Sequence, residues 1–172
     1  MRLDAFGPGQ RYHTRRLEPP DLPALQRLFE RAADYFAATT GAPPAPDEAQ
    51  RAFVGGPPTK SVNDKQTVGV FDRDETLVAV LDAIPDFPVE ETCTIGLLLV
   101  DPGARGRGLG GATLTAFERW MSARGAARFR TAVAAPLERG LRFLERAGYR
   151  EASRLEGYAA AAQTVVFLEK GG

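Results

Sequence analysis

VDPGARGRGLGG, residues Val100 to Gly111, decides how the rest of the chain is read. The stretch leaves an apolar run, sets five glycines and two arginines into the nine residues from Gly103 to Gly111, and leads into a helical pattern. Glycine in such number costs conformational entropy, so something here needs a bare backbone. At the start of a helix the amides are unpaired and the dipole is positive, which makes a bare backbone a place for phosphate.

Upstream of this loop the pattern is that of strands. TCTIGLLLV (Thr92 to Val100) is the most strand-like run in the chain, and TVGVFD (Thr67 to Asp72) with TLVAVLDAI (Thr76 to Ile84) reads as a hairpin. Further back, Arg11 to Leu17 forms a first strand, and Asp21 caps one helix carrying Leu25, Leu28, Phe29, Ala32 and Phe36 at helical spacing. The proline- and glycine-rich segment from Thr39 to Lys65 contains only PDEAQRAF as a short helix. An irregular segment of that length in a compact domain suits a binding loop or lid.

Downstream, a helix from Gly108 carries Leu109, Thr113, Ala116, Phe117 and Trp120 and ends near Gly125. ARFRTAVA is a buried strand. PLERGLRFLERAG is a helix with Leu137, Leu141 and Leu144 as its stripe, and YREASRL and TVVFLEK are the last two strands. A strand–helix–strand crossover after antiparallel strands demands one parallel pair. The expected architecture is α/β (α+β): a mixed, mostly antiparallel sheet of six to seven strands in one domain spanning residues 1–172.

Composition narrows the function. Twenty-two basic and twenty-two acidic residues cancel, leaving no global field to attract nucleic acid or an anionic membrane. No targeting segment or apolar run long enough for a span is evident, so the expected location is cytoplasmic. One cysteine (Cys93) and one histidine (His13) permit neither an internal disulfide nor a zinc-ligand set. Nineteen arginines against three lysines, with abundant alanine, glycine and proline, point to a GC-rich bacterial genome.

Two phosphate motifs overlap in the loop. Gly106, Gly108 and Gly111 satisfy G-x-G-x-x-G, the dinucleotide fingerprint, but antiparallel strands precede it and the next strand ends TAVAAP without the acidic residue that would hold a ribose. The second motif, R-x-x-G-x-G, is formed by Arg105, Gly108 and Gly110. It suits a pyrophosphate held by amides, with Gly108 and Gly110 allowing close approach and Arg105 and Arg107 able to add charge.

LLLVDPGARGRGLGGATLTAFERWM resembles motif A of the GNAT acyltransferase superfamily, and LRFLERAGYRE resembles its motif B. The resemblance implies an acyl-CoA donor, acetyl-CoA first, with no metal. It places the pantetheine arm along Leu98, Leu99 and Val100, and the pyrophosphate on the amides of Arg105, Gly106, Arg107, Gly108, Leu109 and Gly110. The Leu98 amide would face the thioester carbonyl as an oxyanion donor. The acceptor it implies is a small amine or a protein amine, and the assembly a monomer or homodimer.

Departures from the family pattern fall on the catalytic groups. Leu144 stands where many members carry a tyrosine acid, and Leu137 where an asparagine often opens the helix. The strand positions that often hold a glutamate are Thr94 and Gly96. Asp82 is the expected base, its hairpin partner falling near Thr92 on a face shared with Thr94, Gly96 and Leu98 if the register is even. Asp86, Glu90 and Glu91 follow in the next loop. Tyr158, Tyr35 and Tyr12 are the alternative acids, while Tyr149, Trp120 and Cys93 read as core. Three functions stay open: an N-acetyltransferase, an acyl-CoA-binding domain without catalysis, and a nicotinamide oxidoreductase.

Overall fold

The structure is a computed structural model, and residues 12–158 and 163–172 are described. Strands β1 (His13–Arg16), β2 (Gln66–Phe71), β3 (Leu77–Ile84), β4 (Thr92–Val100), β5 (Arg128–Ala134), β6 (Arg150–Tyr158) and β7 (Gln163–Gly171) form one sheet in the order β1-β2-β3-β4-β5-β7-β6. Every neighbouring pair is antiparallel except β4–β5. That exception is the crossover through α4 (Leu109–Ser122). A doubly wound sheet, which the dinucleotide fingerprint needs, is not what forms.

Two apolar layers cover the sheet. On one face α4 and α5 (Glu138–Arg146) bury Leu114, Phe117, Met121 and Leu144 against Cys93, Ile95 and Phe129. On the other face α1 (Leu22–Arg31), α2 (Ala33–Thr40) and α3 (Glu48–Val54) pack on Phe71, Leu77, Val80 and Leu99. Cys93 is fully buried, and burial pushes its thiol up to about 12, as befits a core residue rather than a nucleophile.

The helix expected through Phe36 is broken. At Ala32 the backbone leaves helical values (φ −96°, ψ 35°), and the chain bends so that the Phe36 and Phe29 rings meet at 5.1 Å. Arg31 and Asp34 flank this elbow, and both are drawn to the loop after β4. Asp21 does not cap with its side chain. Its carboxylate takes a bidentate pair from Arg15 at 2.6 and 2.7 Å, which holds it below the usual carboxylate range.

Between α4, β7 and Tyr149 lies a polar contact inside the apolar layer. The Tyr149 hydroxyl and the Lys170 ammonium each donate to Glu118 at 2.7 Å, and Glu118 is 7% exposed. Glu118→Gln leaves one oxygen for the Lys170 ammonium without its negative charge, and the amide NH2 obliges the Tyr149 hydroxyl to turn from donor to acceptor. It should cost about 1.5–3 kcal/mol, the range for a hydrogen bond to a charged group. The check is a lower denaturant midpoint at unchanged slope.

Candidate active site

The parallel pairing of β4 with β5 stops early. Register runs from Thr92↔Arg128 to Ile95↔Thr131 and no further. Both strands continue, β4 held by β3 as far as Val100↔Ala79 and β5 by β7 as far as Ala134↔Val165. A wedge therefore opens between two strands that are each fixed on their outer side.

The Asp101 amide donates to Val78 in β3 at 2.8 Å. By the alternation of antiparallel ladders, the amides of Leu97 and Leu99 face β3 as well, and those of Leu98 and Val100 face the wedge. The Val100 carbonyl, on the same side, accepts from Arg105 Nε at 2.8 Å.

At the mouth of this wedge the glycine loop turns into α4. Gly106 (φ +75°) and Gly108 (φ +80°) adopt the left-handed conformation, with open space where a Cβ would sit. The bond from Ala112 to the Gly108 carbonyl (3.0 Å) begins the helical ladder, so the amides of Leu109, Gly110 and Gly111 precede it without helical acceptors. Leu109 is buried and anchors the first turn. At Gly110 neighbouring side chains do not by themselves demand glycine. A Cβ there would lie 3.4 Å from Val100 Cγ2.

The two loop arginines, alike in sequence, are unlike in structure. Arg105 makes a bidentate pair with Asp34 of α2, which holds that carboxyl below its usual range. Arg31 of α1 returns the contact, donating to Asp101 and, at 2.8 Å, to the Leu77 carbonyl. These crossed pairs clasp the α1–α2 elbow to the loop. Arg107 is exposed and engages no partner among the described residues, so it is the freer cation of the two.

Asp82 sits on the other face of β4. Its partner is Leu97, not the Thr92 region: the ladder begins with Ile84 opposite Thr94, which would set Asp82 opposite Gly96, and a bulge between Asp82↔Leu97 and Ala83↔Ile95 shifts it one residue further. The extra residue is Gly96. Ile95 and Leu98, three apart, consequently pack in the same apolar layer, and Leu98 does not share a face with Thr94 and Gly96 as an even register required. Thr94 donates to the Phe87 carbonyl at 2.6 Å and fastens the β3–β4 turn. A Cβ on Gly96 would lie 3.7 Å from Asp82 Oδ2. The Asp82 carboxyl thus stands beside the space that a side chain at Gly96 would enter.

Thr67 donates to Asp82 Oδ1 at 2.6 Å, and Lys65 pairs with Oδ2 at 3.1 Å. Burial pushes the Asp82 carboxyl above its ordinary value, against the opposing pull of the Thr67 hydrogen bond and the Lys65 charge. Lys65, 4% exposed, also donates to the carbonyls of Ala52 (2.5 Å) and Gly55 (2.7 Å). It ties the end of α3, and with it the irregular Thr39 to Lys65 segment, to the carboxylate.

A cleft of about 350 Å³ opens here between α1–α3 and the sheet, and both Asp82 and Tyr35 line it. Leu144, at the position where many members carry a tyrosine acid, is buried in the core, and of the alternative tyrosines Tyr12 lines a separate hollow beside Arg107. Tyr158 ends β6 opposite Gln163, and its side chain lies outside the described residues. Asp86 receives the Glu91 amide at 2.9 Å as a turn residue. Lys65 and the cleft wall went unread in sequence. The available signal was a lysine in a chain that otherwise uses arginine, placed two residues before a hairpin strand.

A mixed sheet that parts beside an uncapped helix start, with a carboxylate across the parted strand, is the architecture of an acyltransferase. The chain belongs to the Acetyltransferase (GNAT) family, whose model matches residues 24–149, and it is an N-acetyltransferase. Among solved structures, an acetyltransferase from Thermus thermophilus is 22% identical with a TM-score of 0.75, covering 95% of this chain and 98% of that one. The ribosomal-protein-S18-alanine N-acetyltransferase of Escherichia coli is 20% identical, TM-score 0.71, covering 93% of each chain. Spermidine N-acetyltransferase from Vibrio cholerae, in complex with CoA and spermine, is 15% identical, TM-score 0.73, covering 94% and 95%. No curated protein matches the sequence.

Proposed function

We propose that the chain binds acetyl-CoA in the β4–β5 wedge and transfers its acetyl group directly to an amine in the cleft beyond β4. The observation that carries this reading is the parting of the two strands after Ile95↔Thr131, at the strand pair that α4 connects. The pantetheine runs along Leu98, Leu99 and Val100. The pyrophosphate rests on the amides from Arg105 to Gly110, with Arg107 adding charge and Arg105 holding the loop through Asp34.

An alkyl ammonium has a pKa near 10.4 and must lose a proton before it can attack. Asp82 takes that proton. The free amine then forms a bond to the thioester carbonyl carbon, and the developing oxyanion accepts from the Leu98 amide. Collapse breaks the carbon–sulfur bond, and the second nitrogen proton passes to the departing thiolate. Leu144 gives no proton to that step. Tyr35, in the same cleft as Asp82, is the tyrosine best located to do so.

The neighbours of this fold are described as acting on a ribosomal-protein alanine in one case and on spermidine in another, so the fold leaves the acceptor open. Calorimetry with acetyl-CoA, and with NAD as the control ligand, tests the donor site. Saturable binding of acetyl-CoA without NAD binding is expected. Binding of NAD with none of acetyl-CoA would overturn the assignment of the loop.

A further inference from the structure

We infer that the acceptor is a primary amine on an apolar, ring-bearing body that carries no carboxylate. The inference rests on the transferase reading and concerns the cleft around Asp82. Its accessible wall is mainly apolar, supplied by the half-buried Phe53, Ile84, Leu97 and the Tyr35 ring, with the core side chains Leu25, Phe29 and Phe36 behind them. The size falls in the range of small-molecule sites, and such sites fix orientation with a few polar groups among apolar ones.

The polar groups of the lining sort by what they can still do. Thr67 is engaged with Asp82. Among the described residues of the lining Lys65 is the one cation, and its three ammonium protons face three acceptors: the Ala52 and Gly55 carbonyls and Asp82. No donor of positive charge is left for a substrate carboxylate. Asp82 and Glu48 would both repel one, and an unpaired buried charge is strongly disfavoured. The Tyr35 hydroxyl has no partner among the described residues and can still bond a neutral polar group. An ammonium beside Asp82 with a ring against the aromatic wall satisfies both surfaces. A polycation would have to desolvate its further charges against phenylalanine.

The test compares kcat/KM for phenethylamine, propylamine, phenylalanine and spermidine, with acetyl-CoA affinity measured in parallel. Phenethylamine should exceed propylamine by about 10- to 100-fold, the worth of burying an aromatic side chain. It should exceed phenylalanine, which differs only by the carboxylate, by at least about 100-fold. Phe53→Ala should raise KM for phenethylamine by a larger factor than it raises KM for propylamine, with the acetyl-CoA Kd as in the wild type. Equal use of all four amines, or a preference for phenylalanine or spermidine, overturns the acceptor class and leaves the transferase standing. Acetyl-CoA binding with no acetylation of phenethylamine overturns it as well. Failure to bind acetyl-CoA at all strikes the donor reading instead.

Discussion

Asp82→Asn should lower kcat by about 100- to 10,000-fold, the usual worth of a positioned base, while acetyl-CoA binds as before. The substitution is nearly isosteric. Thr67 retains an oxygen to donate to, and Lys65 retains the Ala52 and Gly55 carbonyls, so the α3 segment keeps its anchor. What is lost is the ability to take a proton at the point where β3 faces Leu97.

The pH profile separates this role from a structural one. The active form is the carboxylate, so kcat/KM falls as the pH drops through the Asp82 pKa. Burial raises that pKa above the ordinary value, which sets the acid limb at higher pH than a solvated aspartate would give. Lys65→Met removes the neighbouring cation, which favours the carboxylate, and should move the limb higher still. Asp82→Asn should erase the limb. Wild-type kcat in Asp82→Asn, or an acid limb that ignores both substitutions, would remove Asp82 from the mechanism.

What could be read before the fold was seen, and what could not, divides along sequence distance. The bounds of β4 followed from one continuous apolar run, and the loop-to-helix turn from glycine spacing. Both are local. The same continuity hid the bulge: in TIGLLLV the hydrophobic residues do not alternate, so the parity that decides which face each side chain takes is not written there. Gly96 was the one clue, since an isolated glycine inside a strand often marks a bulge.

The two loop arginines were indistinguishable for a different reason. The partner of Arg105 is Asp34, 71 residues away, on a helix that bends only because Ala32 leaves helical geometry. Lys65 and Asp82 meet because Thr67 pairs with Asp82 across the hairpin. A register drawn back from the RDE turn, rather than forward to β4, would have brought the lysine into view. The catalytic face was thus hidden by tertiary pairing, while the donor loop was local enough to be read.

Gly108→Val should weaken acetyl-CoA binding by about 100-fold, by removing several amide–phosphate contacts of about 0.3–1 kcal/mol each at once. Gly108 holds φ +80° at the N-cap of α4, a conformation that a β-branched residue adopts only with strain. Nothing lies within 4 Å of the missing Cβ, so the fault is conformational rather than steric. To relieve it the backbone must turn over between Arg107 and Leu109, which aims the first amides of α4 away from the wedge. Strain alone would also lower stability, and a control separates the two effects. Gly41 closes α2 at φ +75°, likewise with open space around it, so Gly41→Val imposes a comparable penalty away from the loop. Donor affinity should survive in Gly41→Val and be lost in Gly108→Val at similar thermal stability. Equal losses in both would make the effect global, and wild-type affinity in Gly108→Val would mean that the phosphates of the donor rest somewhere other than on the amides of this turn.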